Sequence, residues 1–212
     1  MPSIAHIHLE ILMKLLALIA CLAFVPLMAR SQQTVTEPST EKKFPAEVTF
    51  KNGETSYTVS VTGVAVRKKV IIKVYGMAHY MQNPVRATRK DAFAAILTDG
   101  KAKQISMEFV RDVDLGKIQE AYHDGFKSNC SAEDFAKIEP LVNKFVGYFT
   151  KDVKENDQFV LRWLPGNTIV AIVQGEEKPP IVDATFAKTL WSIWFGEDSI
   201  VDRDDLVSRI AE

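Results

Sequence analysis

The sequence predicts an α+β domain built on a mostly antiparallel sheet, and three observations carry that expectation. Alternating β-branched and aromatic runs flank turn signals at Asn52-Gly53 and Pro165-Gly166-Asn167, which is the chemistry of hairpins. Two segments of helical period stand side by side between strands, so the order is strands, helices, strands, helix, without a βαβ alternation. At 212 residues, 47% hydrophobic and 25% charged, the composition suits one globular domain with tails.

The N-terminus differs in kind. Met13-Lys14 opens an apolar run from Leu15 to Met28 that ends at Ala29-Arg30-Ser31. A positive start, an apolar core of roughly a dozen residues and small residues at the end read as a secretory signal cleaved near Ser31-Gln32, short for a membrane span. The residues before Met13 do not fit such a signal, which points to Met13 as the start of translation. Leu18-Ile19-Ala20-Cys21 resembles a lipoprotein processing site as a minor alternative, and an uncleaved anchor is another. The expected organisation is a signal peptide over 1–31, a flexible polar leader over 32–43 and the domain over 44–212. The protein is expected to be exported, periplasmic or secreted, with no stable membrane span once the signal is removed. Cys130 is then the one cysteine left, so no intrachain disulfide forms and packing supplies the stability. A net charge of -1 with no long Lys/Arg run lacks the footprint of a nucleic-acid binder.

Within the domain, 46–51 is a short strand and Lys51-Asn52-Gly53-Glu54 a tight turn. The strand 56–66 alternates Tyr57, Val59 and Val61 against Ser56, Thr58 and Ser60, packing one face. The basic cluster Arg67-Lys68-Lys69 follows, then a strand over 72–81. Its Gly76 and Ala78 leave room on one face, where a helix is expected to press. A short helix over 89–97 closes at Thr98-Asp99-Gly100, and 103–110 is a further strand. Helices are expected over 114–128 and 131–150, the second capped by Ser131 and kinked or broken at Pro140. A hairpin over 158–174 precedes a strongly apolar helix, 184–196, stopped by Gly196, and a polar last helix begins at Asp202.

Chemistry-bearing motifs are few. There is no glycine-rich phosphate loop, no HExxH or paired-cysteine metal spacing and no Gly-x-Ser-x-Gly elbow, so neither a cofactor nor a metal is expected. His79 and His123 stand alone and read as packed histidines. Arg67 emerges from a strand-like run whose neighbours are mostly buried, and reads either as a ligand anchor or as part of a solvated hairpin tip. Tyr122 and Asn129 lie seven apart on one helix, about 10 Å along its axis and on nearly the same side. They either face a cleft or serve as a packed edge and a C-terminal cap.

Several motifs occur in one order: FPAEV at Phe44, GVAVRKK leading to KVYGMAHYM, RDVD at Arg111, AYHDGFKSN with Tyr122 and Asn129, and a closing F-x-x-x-L-x-x-I-W-x-G from Phe186 to Gly196. Together they resemble the chalcone-isomerase-like family, in particular its bacterial exported members. The resemblance implies an open-faced β-sandwich, a large antiparallel sheet covered by a helical layer with a ligand cleft between them. In the plant enzymes a phenolate adds across an enone, so that charge moves from phenolate to enolate and fixed donors with a permanent cation lower the barrier. Carried over by motif, the arginine is Arg67, the tyrosine Tyr122 and the asparagine Asn129, the catalytic set if the protein is an isomerase acting on an enone.

Two positions depart from that pattern. The strand threonine aligns with Tyr75, and the late-helix threonine or serine aligns with Ile193, which donates no hydrogen bond. These departures resemble the family's non-catalytic fatty-acid-binding branch, where an arginine and a tyrosine grip a carboxylate at an apolar tunnel. The expected ligand is then a small apolar carboxylate held by Arg67 and Tyr75, with Tyr122, Asn129 and Ile193 around it. Leu190, Ile193 and Trp194 line the chain or simply fill the core. A third reading is an accessory protein with a vestigial cleft. One spacing opposes the shared grip. On a straight strand Arg67 and Tyr75 would be about 26 Å apart, and a turn at Lys68-Lys69 alone would leave about 17 Å.

Overall fold

The structure, a computed structural model, describes residues 33–212. The expected signal peptide, the expected start at Met13 and the alternative lipoprotein cysteine Cys21 lie outside the described residues. Ten strands and five helices follow in order: β1 (Thr34–Thr36), β2 (Lys43–Pro45), β3 (Glu47–Asn52), β4 (Thr55–Lys69), β5 (Ile72–Met81), α1 (Arg89–Ile96), β6 (Lys103–Phe109), α2 (Leu115–Ser128), α3 (Ala132–Val146), β7 (Gln158–Leu164), β8 (Thr168–Val173), β9 (Glu176–Glu177), β10 (Ile181–Val182), α4 (Ala184–Phe195) and α5 (Arg203–Val207). The main sheet is antiparallel with strand order β10-β8-β7-β6-β5-β4-β3, and β9 adds to β8. The expected α+β class and helix-covered sheet are what the chain forms.

Alternation in the strands separates two apolar layers. Tyr75, Met77 and Met81 of β5 join Ile105, Met107 and Phe109 of β6 and Phe159, Leu161 and Trp163 of β7 beneath the helices. Helix α4 is buried nearly all round, from Phe186 to Phe195, because it lies between the sheet and other helices. Its first turn is held by Asp183, whose carboxylate accepts the Phe186 N–H at 2.8 Å. Gly196 ends it. A Cβ there would come within 2.6 Å of both Asn129 Oδ1 and the Ser192 carbonyl, so glycine is required by space.

The opposite face of the sheet carries its own cluster, with Phe44, Phe50, Val59, Val61 and Tyr80. It corrects two expectations. No helix presses on Gly76: a Cβ there would meet Thr40 Oγ1 at 2.5 Å and Lys42 Cβ at 3.3 Å, so the covering element is the N-terminal ribbon. The segment read as a flexible leader is that ribbon. Thr34–Thr36 pairs with Lys43–Pro45, and the Glu37 carboxylate accepts the N–H groups of Ser39 at 2.9 Å and Thr40 at 2.7 Å. Lys42 Nζ meets Glu108 Oε1 of β6 at 2.5 Å. Polarity alone suggested disorder because the ribbon is held by polar contacts, local at Glu37 and distant in sequence at Lys42–Glu108, which leave no apolar period to read.

Pro140 sits inside a continuous α3, which neither breaks there nor extends past Gly147. Pro140 and Ala136 are both exposed, so the carbonyl that the proline cannot pair faces water.

The long β4–β5 hairpin organises the site. Its loop is Val70–Ile71, two residues further on than a turn at Lys68-Lys69, and Lys69 pairs with Ile72. Val70 has φ 60°, a left-handed conformation that costs a β-branched residue roughly 1–2 kcal/mol. The register shifts twice. Thr62 is an extra residue in β4 between the pairs Val61–Tyr80 and Gly63–His79, and Val74 is an extra residue in β5 between Lys68–Lys73 and Arg67–Tyr75.

Candidate functional site

The second bulge brings Arg67 and Tyr75 into direct opposition. An unbroken register from the loop would set Arg67 against Val74 and turn Tyr75 to the other face of the sheet. With the extra residue, the two side chains share the helix-covered face. Directly paired residues have Cα atoms about 4.5–5.5 Å apart, so the separation expected from straight-strand geometry does not arise.

Arg67 is half-buried and its Nη1 donates to the carbonyls of Ile200, at 2.7 Å, and Lys68, at 2.8 Å. The first bond ties the connection between α4 and α5 onto β4. Nε and Nη2 make no hydrogen bond among the described residues, and no carboxylate among them forms a salt bridge with the guanidinium. Among the described residues, then, no carboxylate pairs with this cation beside a buried phenol.

Tyr75 is 6% exposed, and its oxygen accepts the indole N–H of Trp194 at 3.0 Å. Burial pushes the phenol up to about 12, an effect partly offset by the indole bond and by the charge of Arg67. At neutral pH the hydroxyl keeps its proton and remains a hydrogen-bond donor.

Tyr122, on α2, joins the same cluster. Its ring stacks on Phe149 at 5.0 Å between centroids and meets Phe145 and Trp194 edge-on at 5.1 and 6.3 Å. Its hydroxyl lies 4.0 Å from Met107 Sδ. Burial, and then proximity to Tyr75, holds this phenol well above its ordinary value. Trp194 is the residue that sequence reasoning placed only as apolar lining or core; its N–H bonds Tyr75 and its ring meets Tyr122. Indole at a helical core position carries no signal for which way its N–H points.

Asn129 and Ile193 are placed elsewhere. Asn129 follows α2 as its C-cap, with Nδ2 donating to the Gly125 carbonyl at 2.9 Å, and lines a recess of about 330 Å³ with Cys130, Lys188, Thr189 and Ser192. Ile193 is 2% exposed and packs its Cδ1 over Gly125, where a Cβ would approach to 2.9 Å. It is a contact between α2 and α4. The structure thus brings together Arg67, Tyr75, Trp194 and Tyr122, and does not bring Asn129 or Ile193 to them. A larger recess, about 580 Å³, runs along β4 behind Val64, Val66 and Lys68, with the acidic Glu37, Asp202 and Asp205 on its wall.

His79 is fully buried. Trp191 Nε1–H donates to its Nε2 at 3.4 Å, and Nδ1 lies 2.7 Å from Thr62 Oγ1, which donates to the Leu206 carbonyl at 2.8 Å. That chain fixes a neutral ring with its proton on Nδ1. Burial, and secondarily the charge of Lys103, holds the imidazole well below its ordinary value. Its role is structural: it joins the β4 bulge to α4 and α5. Among the described residues no group of three or more His, Cys, Asp or Glu is placed to hold a metal ion.

Comparison with known proteins agrees with this architecture. No curated protein matches the chain. Among solved structures, an Arabidopsis thaliana fatty-acid binding protein superposes with a TM-score of 0.66 at 15% identity, over 84% of this chain and 97% of that one, a likeness of fold. Residues 40–205 match the family described as chalcone isomerase-like, so a long antiparallel sheet under a helical layer is what that family's pattern encodes here. The chain belongs to the chalcone isomerase-like family.

Proposed function

We propose that the protein binds a small apolar carboxylate, such as a fatty acid, with the headgroup on Arg67 and Tyr75. The observation that carries this reading is the Arg67 guanidinium, with no carboxylate partner among the described residues, directly across the hairpin from a protonated Tyr75 phenol. A carboxylate between them accepts from Nη2 or Nε and from the phenol at once, a charge-assisted arrangement stronger than either bond alone. The acyl chain enters the helix-covered core beside Met77, Met107 and Tyr122, which are buried at 0, 2 and 6% exposure and must move apart to admit it, as unbranched, polarisable methionines can. The fold is shared with a plant protein named for fatty-acid binding, which supports the same class of ligand. The apolar run from Leu15 to Met28 supports export, to the periplasm or beyond, as part of this proposal.

Titration calorimetry with laurate tests it. Wild-type protein is expected to bind, and Arg67→Ala to lose about 10- to 100-fold in affinity, as expected for removal of a hydrogen bond to a charged group. Wild-type protein that binds no fatty acid sinks the reading. N-terminal sequencing of the protein from cell fractions tests export, and an intact Leu15–Met28 run in the cytoplasm alone argues against it.

A further inference from the structure

The β4–β5 hairpin ends in a tip that local preference does not explain. Val70 is 90% exposed, Ile71 86% and Ile72 48%, the one place among the described residues where consecutive large apolar side chains stand in water. Val70 occupies the first loop position with φ 60°, where glycine is the ordinary residue of a two-residue hairpin. A branched apolar side chain is thus kept at a strained position and left without cover. Lys68, Lys69 and Lys73, all exposed, flank the tip, and none forms a salt bridge among the described residues; Lys73 donates to the Ser39 carbonyl.

The order of these groups along the hairpin is that of a bilayer surface. Apolar side chains occupy the apex, and the lysines follow on both strands about 3–7 Å behind it at the usual strand rise. Interfacial segments seat their apolar groups about 5–10 Å into the headgroup and acyl boundary, which leaves such lysines among the phosphates. The acidic residues Glu37, Asp202 and Asp205 line the recess along β4 together with Val64, Val66 and Lys68, whereas the hairpin end itself, residues 68–73, carries only apolar and cationic side chains.

We propose that the β4–β5 tip docks on an anionic lipid bilayer, with Val70, Ile71 and Ile72 entering the acyl boundary and Lys68, Lys69 and Lys73 meeting the phosphates. Arg67 and Tyr75 stand on the same hairpin just behind those lysines, so docking brings the carboxylate site to the surface where amphiphilic ligands reside. The docking rests on the tip alone and is tested apart from ligand binding.

Trp163, Trp191 and Trp194 are at most 1% exposed, so an indole placed at the tip reports locally. The full chain carrying Ile71→Trp is mixed at low salt with vesicles of dioleoylphosphatidylglycerol brominated in the acyl chains. The added indole is expected to shift to the blue and lose about half its emission or more. With phosphatidylcholine vesicles, or with Lys68→Glu and Lys69→Glu added, the quenching falls at least about fivefold. An indole that stays water-exposed and unquenched on phosphatidylglycerol overturns the proposal, even where the chain sediments with vesicles through its N-terminal apolar run. Quenching indifferent to the charge reversals overturns it too. Circular dichroism checks the fold, and Val70→Trp reads the same depth if Ile71→Trp misfolds.

Discussion

Arg67 and Tyr75 face one another across the β4–β5 hairpin because Val74 is an extra residue in β5. One residue more in one strand decides which face of the sheet a phenol serves, and with it whether a cation has a partner donor for an anion. Tyr75 also accepts from the buried indole of Trp194, so its oxygen is bound to the core while its own O–H remains a donor.

Tyr75→Phe is therefore expected to show two separable effects. The lost donor weakens laurate binding about tenfold, and the orphaned Trp194 N–H costs about 1–2 kcal/mol of stability. Calorimetry reads the first and a urea midpoint without ligand reads the second. A variant as stable as wild type would mean that the indole finds another acceptor.

Val70→Gly relieves a left-handed β-branched residue and is expected to stabilise the fold by about 0.5–1 kcal/mol, part of the relief being offset by glycine's freedom in the unfolded chain. The same change removes an apolar side chain from the tip. Higher thermal stability with weaker vesicle binding is the expected pair, and a destabilised variant contradicts the account of the turn.

Buried His79 gives stability a defined dependence on pH. Its folded-state value lies well below its ordinary one, so the unfolded chain takes up the proton first as pH falls. The contribution is complete above about pH 6.5, the ordinary histidine value, and declines as pH drops below it. Denaturant midpoints measured from about pH 7 to 5 should fall in wild type and fall less steeply in His79→Gln. Equal slopes would remove the histidine as the cause.

Two glycines rank by what opposes them. A Cβ at Gly63 would lie 2.1 Å from the backbone oxygen of Asp205, so Gly63→Ala must push α5 off β4 and is expected to cost about 3 kcal/mol or more. At Gly125 the obstacle is the end of the Ile193 side chain, which can turn, and Gly125→Ala should cost about 1 kcal/mol. Thermal unfolding gives the order, and a reversed order would overturn the argument from rigid and flexible neighbours.

Much of this was legible in residues. The alternation of Tyr57, Val59 and Val61, the Pro165-Gly166-Asn167 turn and the helical period of α3 and α4 encode their own elements, and the motif around Arg67 singled out a candidate anchor. What was not legible depends on register and on distant partners. The fold-back that unites Arg67 with Tyr75 needs a turn at Val70-Ile71, which has no turn-forming composition, and a bulge, which has no sequence signature. Asn129 and Tyr122 share a spacing on one helix, yet Asn129 is used as a cap and Tyr122 as a packed phenol, a division set by α3 and α4 and not by α2 itself.

The ribbon formed by β1 and β2 sets where the chain can be shortened. Cleavage before Phe44 would strip Thr40 and Lys42 from the backbone of β5 at Gly76, and would leave Glu108 without its lysine on a newly wetted sheet. The product would carry an apolar face around Phe50, Val59 and Tyr80 under thinner cover, a surface prone to self-association. Limited proteolysis of the folded protein is accordingly expected to spare the segment from Thr34 to Pro45, and a polypeptide begun at Phe44 to aggregate where one begun at Gln33 stays monodisperse.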